Sequence, residues 1–244
     1  MKKLYEKSKI GFAVAWIVLY CFSASVGDSL SLSVGIEKSV TLPVLAVLSL
    51  AAFLFIKRNG LLYEYGICRS EVKAAEMLFY LPLALLLTAN LWYGITFNLS
   101  AGETVLYVLS MLCVGFLEEI IFRGFLYKAM LRDTPKFAVP VSAITFGMGH
   151  IINLVNGSGA ELLPNLLQVV YAVAAGFMFV MIYRRSKSLI VCIAAHGIFN
   201  SLSAFANETM LTDKERVISC TLITVISGGY AVFLAVSERK ILRG

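Results

Sequence analysis

Gly115-Phe116-Leu117-Glu118-Glu119-Ile120-Ile121-Phe122-Arg123-Gly124 places two carboxylates and a guanidinium inside an otherwise apolar stretch, 104–131. A stretch of that length reads as a bilayer-spanning helix. One such charge near mid-membrane costs about 2.5–3.5 kcal/mol on an insertion scale, so intramembrane charges point by default to a functional site with a nameable partner. Helix geometry names the partner. Glu119 and Arg123 are four residues apart, on one face, with the acid on the N-terminal side, which is the favourable order. Glu118 is turned about 100° away from Glu119. The expected arrangement is an ion pair between Glu119 and Arg123, with Glu118 left facing a cavity. The passive alternative is a single network of all three that pins helices together.

The rest of the chain has the same solvent in view. Of 244 residues, 59% are hydrophobic and 15% charged, against roughly 45–50% and 25% in soluble domains. The excess falls in blocks, at about 10–26, 40–56, 76–97, 104–131, 137–155, 166–183, 188–206 and 217–236. These define an all-α polytopic membrane protein of about eight transmembrane helices, with the active-site core in the fourth to seventh. Residues 1–103 supply three spans, 104–206 the core, and 207–244 a last span and tail. Ser23-Ala24-Ser25 resembles a signal-peptidase site. The run preceding it is long and carries Trp16 and Tyr20, so it reads as a retained first span.

The net charge of +6 could suggest nucleic acid. The cations are arranged otherwise. Eight spans leave the lysines and arginines of 2–9, 57–73, 128–136, 184–187 and 239–243 on one side of the membrane. Lys38, Lys214 and Arg216 alone lie on the other, and Arg123 is within a span. That is the positive-inside pattern, which puts both termini in the cytoplasm of a multi-pass cell-membrane protein. No nucleic-acid partner is implied. The five cysteines have no CxxC spacing and imply no disulfide framework. Trp92 and Tyr93 read as interfacial anchors, and Pro82 and Pro164 as helix starts or kinks. Asn90 and Gln168 either line a cavity or hydrogen-bond neighbouring helices.

Two further spans carry polar groups. The fifth ends Phe146-Gly147-Met148-Gly149-His150, where the glycines permit close helix approach. The seventh contains His196-Gly197-Ile198-Phe199-Asn200, with His196 and Asn200 again four apart and facing one neighbour. A lone histidine in such a place is more often a satisfied core residue than a catalyst. These are, however, the chain's two histidines, and both sit deep in apolar spans. At 1.5 Å per residue, Glu118, His150, His196 and Asn200 all fall roughly 10–20 Å from the cytoplasmic face, so they can share one cavity.

Glu118-Glu119-x-x-x-Arg123, Phe146-x-x-x-His150 and His196-x-x-x-Asn200, in that order on separate helices, resemble the CAAX-protease and bacteriocin-processing (CPBP, or Abi) family over residues 104–206. The resemblance implies an intramembrane endopeptidase acting on a membrane-associated protein or peptide. It matches Glu118 to the catalytic glutamate, and His150, His196 and Asn200 to the other active-site positions. Hydrolysis needs a base to activate water and donors for the oxyanion. Glu118 fits the first need, His150 positions the water, and His196 with Asn200 binds the oxyanion. Glu118, His150 and His196 would also make a His₂Glu zinc set, but the HExxH helix of familiar zinc proteases is absent, and the resemblance favours a metal-free glutamate-activated water. Two rival functions are a proton- or ion-coupled transporter, which lacks the expected repeat or paired broken helices, and a non-catalytic immunity or scaffold protein retaining the motifs.

Overall fold

A computed structural model of the protein describes residues 1–72, 76, 80–154, 156 and 161–241. Parts of the expected spans 76–97 and 137–155, together with Lys73 and Arg243 of the charge pattern, lie outside the described residues. Local chemistry sets where each helix begins and ends. The short α1 (Lys2–Lys7) gives way at Ser8, whose side chain accepts from the Gly11 amide and starts α2 (Lys9–Val34). Gly35, at φ +77°, closes α2 with a left-handed residue suited to glycine. After α3 (Thr41–Arg58), the apolar stretch expected as a third span contains the seven-residue α4 (Leu81–Leu87) and a 3₁₀ turn at Ala89–Leu91.

The helix bearing the two glutamates starts at a capping box. Ser100 accepts from the Glu103 amide, and Glu103 reaches back to the Ser100 amide. From there α5 (Ala101–Glu118) runs into a π-helical segment, Glu119–Leu126, and then α6 (Tyr127–Asp133). Pro135 opens α7 (Pro135–Gly149), which passes into a 3₁₀ turn at His150–Leu154. The bundle is completed by α8 (Leu162–Ser186), α9 (Ile190–Leu202) with a 3₁₀ extension at Ser203–Phe205, and α10 (Asp213–Ile241).

Among the described residues, six helices are long and apolar enough to cross a membrane: Lys9–Val34, Thr41–Arg58, Ala101–Asp133, Pro135–Leu154, Leu162–Ser186 and Asp213–Glu238. Thus the eight expected spans correspond to six long helices and two short ones, α4 and α9. The third is interrupted because its polar residues leave the helix. Thr88 bonds the Leu85 carbonyl and receives the Trp92 indole N–H, while the Asn90 amide donates to the Phe199 carbonyl at 2.6 Å. The apolar periphery is bare, with Val18, Phe22, Val47, Val225 and Val232 each more than 60% exposed. Such a surface is stable against lipid and not against water. The protein is an all-α, multi-pass membrane protein.

Helix contact in lipid depends on small residues, because tails are as apolar as leucine. A Cβ on Gly115 would lie 2.6 Å from the Gly197 amide nitrogen, so α5 and α9 touch backbone to backbone there. Gly147 meets the Val173 backbone in the same way, and Gly176 meets Ala143. The first contact brings His196 alongside the glutamate pair. The second pair of contacts draws α7 onto α8. The close approach expected at Gly147 is present, whereas Gly149 has open space beside it.

Candidate active site

Four of the sequence-selected side chains form one buried row. Arg123 is fully buried and its Nη1 donates to Glu119 Oε1 at 3.0 Å, which is the expected i, i+4 pair. The same Oε1 lies 2.9 Å from His196 Nδ1. A carboxylate paired with arginine can only accept, so Nδ1 carries a hydrogen in this contact. His196 Nε2 in turn lies 3.5 Å from Glu118 Oε2. That separation is beyond a good hydrogen bond, and Oε2 has no hydrogen-bond donor among the described residues.

Aromatic rings fix this row in place. The Arg123 guanidinium carbon sits 3.9 Å from the Phe146 ring centroid and 5.4 Å from that of Phe179. Its Nε and Nη2 make no hydrogen bond among the described residues, so the ring faces replace water around the cation. Phe179 stacks on His196 at 5.6 Å and Phe146 meets the same imidazole edge-on at 5.5 Å. The imidazole is thus clamped between two rings and a carboxylate.

The other two selected residues sit on the wall of a chamber. His150 and Asn200 are half-buried and line, with Glu118, a cavity of about 340 Å³ enclosed by α2, α3, α5, α7, α8 and α9. His150 Nδ1 is 3.3 Å from the Phe146 carbonyl, and a carbonyl only accepts, so Nδ1 donates there. Its own carbonyl receives the Asn165 amide at 2.9 Å, which holds the end of α7 against α8. His196 borders a small apolar pocket of about 60 Å³ that shares His150, Phe199 and Asn200 with the chamber. Gln168 and Asn90 also line the chamber, each while hydrogen-bonded to another element or turn.

Two features were not read from the sequence. Tyr20, on α2, is buried and donates its hydroxyl to Glu118 Oε1 at 2.7 Å across 98 positions of chain. A tyrosine inside an apolar run carries no local mark of such a partner. The second is the link from Glu119 to His196, since helix spacing exposed only its pairing with Arg123.

Residues 100–202 match a family model, "Type II CAAX prenyl endopeptidase Rce1-like". The matched segment is similar to that family over less than half of the chain. It runs from the cap of α5 to the last residue of α9 and contains Glu118, Glu119, Arg123, His150, His196 and Asn200. Tyr20 lies outside the matched segment. No curated protein and no solved structure matches the chain.

The zinc set weighed from the sequence is Glu118, His150 and His196. Among the described residues no three His, Cys, Asp or Glu side chains come close enough together to hold a metal ion. Glu118 and His196 face each other, but His150 stands apart on the chamber wall, and the remaining carboxylate, Glu119, is engaged by Arg123 and His196.

Proposed function

We propose that this chamber hydrolyses a peptide bond of a membrane-associated protein or peptide, with Glu118 as the general base. The observation that carries the reading is Glu118 Oε2, a carboxylate oxygen with no hydrogen-bond donor among the described residues, held 3.5 Å from His196 Nε2 in a buried site. A carboxylate oxygen without a donor suits a hydrogen of one water molecule. Glu118 takes a proton from this water as its oxygen bonds the scissile carbonyl carbon. The Asn200 amide donates to the resulting oxyanion, and Glu118 returns the proton to the leaving nitrogen as the C–N bond breaks. Relative to the sequence expectation, the roles of the histidines shift. His196 orients the water, because its Nδ1–H is committed to Glu119. His150 borders the space where the substrate would lie.

Tyr20 positions the base. Its hydroxyl occupies Glu118 Oε1 and leaves Oε2 toward His196. Tyr20→Phe removes one hydrogen bond and no packing volume. Misplacement of a reacting group by about 1 Å can cost 10²-fold, so kcat in this variant is expected to fall on the order of 10- to 100-fold. KM should hold, because the phenol meets the base rather than the peptide. A changed KM at constant kcat would remove Tyr20 from this role.

The proposed scheme routes no step through a metal. Treatment with a chelator is expected to leave cleavage unchanged, measured beside the metal content of treated and untreated protein. Activity lost with the metal and restored by zinc would replace this scheme. The broader reading is tested by comparing membrane peptides from cells carrying the wild type or Glu118→Gln. Fragments that vanish in the variant, with their precursors accumulating, are expected and would identify the substrate. Identical peptide sets, with flux of protons or ions through proteoliposomes of the pure protein, would favour a transporter instead.

A further inference from the structure

A second cavity, of about 320 Å³, shares no lining residue with the chamber. It lies where three long spans, Ala101–Asp133, Leu162–Ser186 and Asp213–Glu238, come to their ends. Its charges are unevenly matched. Arg184 holds Glu238 through two contacts, Nη2 to Oε2 at 2.8 Å and Nε to Oε1 at 3.3 Å, so that pair is neutral. Lys128 and Lys187 also line the cavity, and neither has a carboxylate partner among the described residues. Lys128 Nζ instead stands 5.2 Å from the centroid of the Tyr183 ring. Beside it Tyr127 is 3% exposed, and its hydroxyl has no hydrogen-bond partner among the described residues. The remaining carboxylate of the lining, Glu71, is at the exposed rim, where Tyr63 donates its hydroxyl at 3.5 Å. Two free cations and a free phenol thus outweigh one rim carboxylate.

We propose that this cavity binds a phosphate group, with Lys128 and Lys187 as its cations and the Tyr127 hydroxyl as a further donor. Ammonium groups and a phenol only await acceptors here, and hydrogen bonds between charged partners are the strong ones. A phosphate spreads its oxygens around a tetrahedron, which suits donors arriving from α6 and from the turn after α8. The walls are built in advance. Lys187 is a left-handed residue, φ +57°, whose amide donates to the Tyr183 carbonyl at 2.9 Å. Its turn is tied to the loop after α3 by the Leu189 amide on the Gly66 carbonyl at 2.7 Å and the Ser188 hydroxyl on the Cys68 carbonyl at 2.6 Å. The Glu71 amide adds a bond to the Ser186 carbonyl at 2.9 Å. Tyr127 meets Tyr183 edge to face, with centroids 6.1 Å apart. Binding therefore needs little ordering of the protein. Phosphates of lipid headgroups lie at the depth where spans end, and basic pockets between helices there hold them. Leu131, 39% exposed at the edge of the cavity, offers acyl chains an apolar surface. Free phosphate shares the same chemistry without the chains.

The test uses the full-length protein, delipidated in detergent and titrated with phosphatidylglycerol, with diacylglycerol of the same acyl chains, and with inorganic phosphate. Native mass spectrometry reads the bound lipid, and the unfolding temperature reads all three. Phosphatidylglycerol is expected to bind and to raise the unfolding temperature, and diacylglycerol to do neither. Lys128→Gln combined with Lys187→Gln should weaken phosphatidylglycerol on the order of tenfold. Tyr127→Phe, which removes a hydroxyl and no packing volume, should weaken it about threefold; it keeps the question answerable if the double variant folds poorly. Lys57→Gln with Arg58→Gln takes the same charge from the end of α3, outside the cavity, and should change nothing. Stabilisation by inorganic phosphate that needs the same two lysines, with no preference for phosphatidylglycerol over diacylglycerol, would uphold the site and make its ligand a soluble phosphate. Equal binding by the wild type and the cavity variants, an equal loss in the Lys57 and Arg58 variant, or no response to either phosphate source would overturn the proposal. None of these readouts depends on cleavage.

Discussion

Replacing Glu118 with Gln is expected to abolish peptide cleavage while leaving the fold intact. A positioned base contributes about 10²–10⁴-fold to a proton-transfer step, so turnover should fall by roughly three orders of magnitude. Glutamine has the same shape, and its amide oxygen still accepts the Tyr20 hydroxyl now given to Glu118 Oε1 at 2.7 Å. Its NH₂ group, placed where Oε2 lies, would point toward His196 Nε2, 3.5 Å away. The variant thus places a donor where the wild type has a carboxylate oxygen with no donor among the described residues. Unfolding in detergent should occur at the wild-type temperature or above it. Near-normal cleavage by this variant would remove the mechanism. Glu118→Ala addresses the rival binding role: if cells carrying it keep the full phenotype, the chain acts as a scaffold or immunity protein rather than by hydrolysis.

What the sequence disclosed, and what it withheld, follows from the range over which chain position constrains space. The Glu119–Arg123 pair was legible because both residues ride one helix, where four positions bring side chains together. The same logic placed His196 and Asn200 on one side of α9, and both border the site. Convergence of Glu118, His150 and Asn200 on one chamber followed from the apolar blocks that hold them, since polar groups in lipid are driven inward to one another. Tyr20 escaped because 98 positions separate it from Glu118, and a phenol in an apolar run has an ordinary alternative at any depth. The interruption of the third span escaped for a different reason. Hydrophobicity marks 76–97 as membrane-deep, but backbone there can leave the helix where protein, not lipid, surrounds it. Asn90 finds its partner in the Phe199 carbonyl, which periodicity does not foresee.

The second large effect is expected at Arg123. Its side chain is fully buried and neutralises Glu119, which is buried equally. Arg123→Ala would leave a carboxylate with no counter-ion, and breaking a buried pair from one side costs about 3–5 kcal/mol. For a protein whose total stability is of order 5–15 kcal/mol, that is a large share. The expected result is poor recovery of folded protein in detergent and a sharply lower unfolding temperature. Removing both charges should be far milder, because a buried pair exchanged for neutral groups of similar volume is often close to neutral. Glu119→Gln with Arg123→Met tests this, with methionine retaining contact with the rings of Phe146 and Phe179 that flank the guanidinium. If the two charges served only to pin helices, such a double variant would regain activity along with stability. Glu119, however, also holds His196 Nδ1 at 2.9 Å, and the neutral amide of glutamine binds that N–H more weakly than a carboxylate does. Recovery of the fold with cleavage still impaired separates the two roles of the pair. Full recovery of both would reduce Glu119 and Arg123 to a structural clasp.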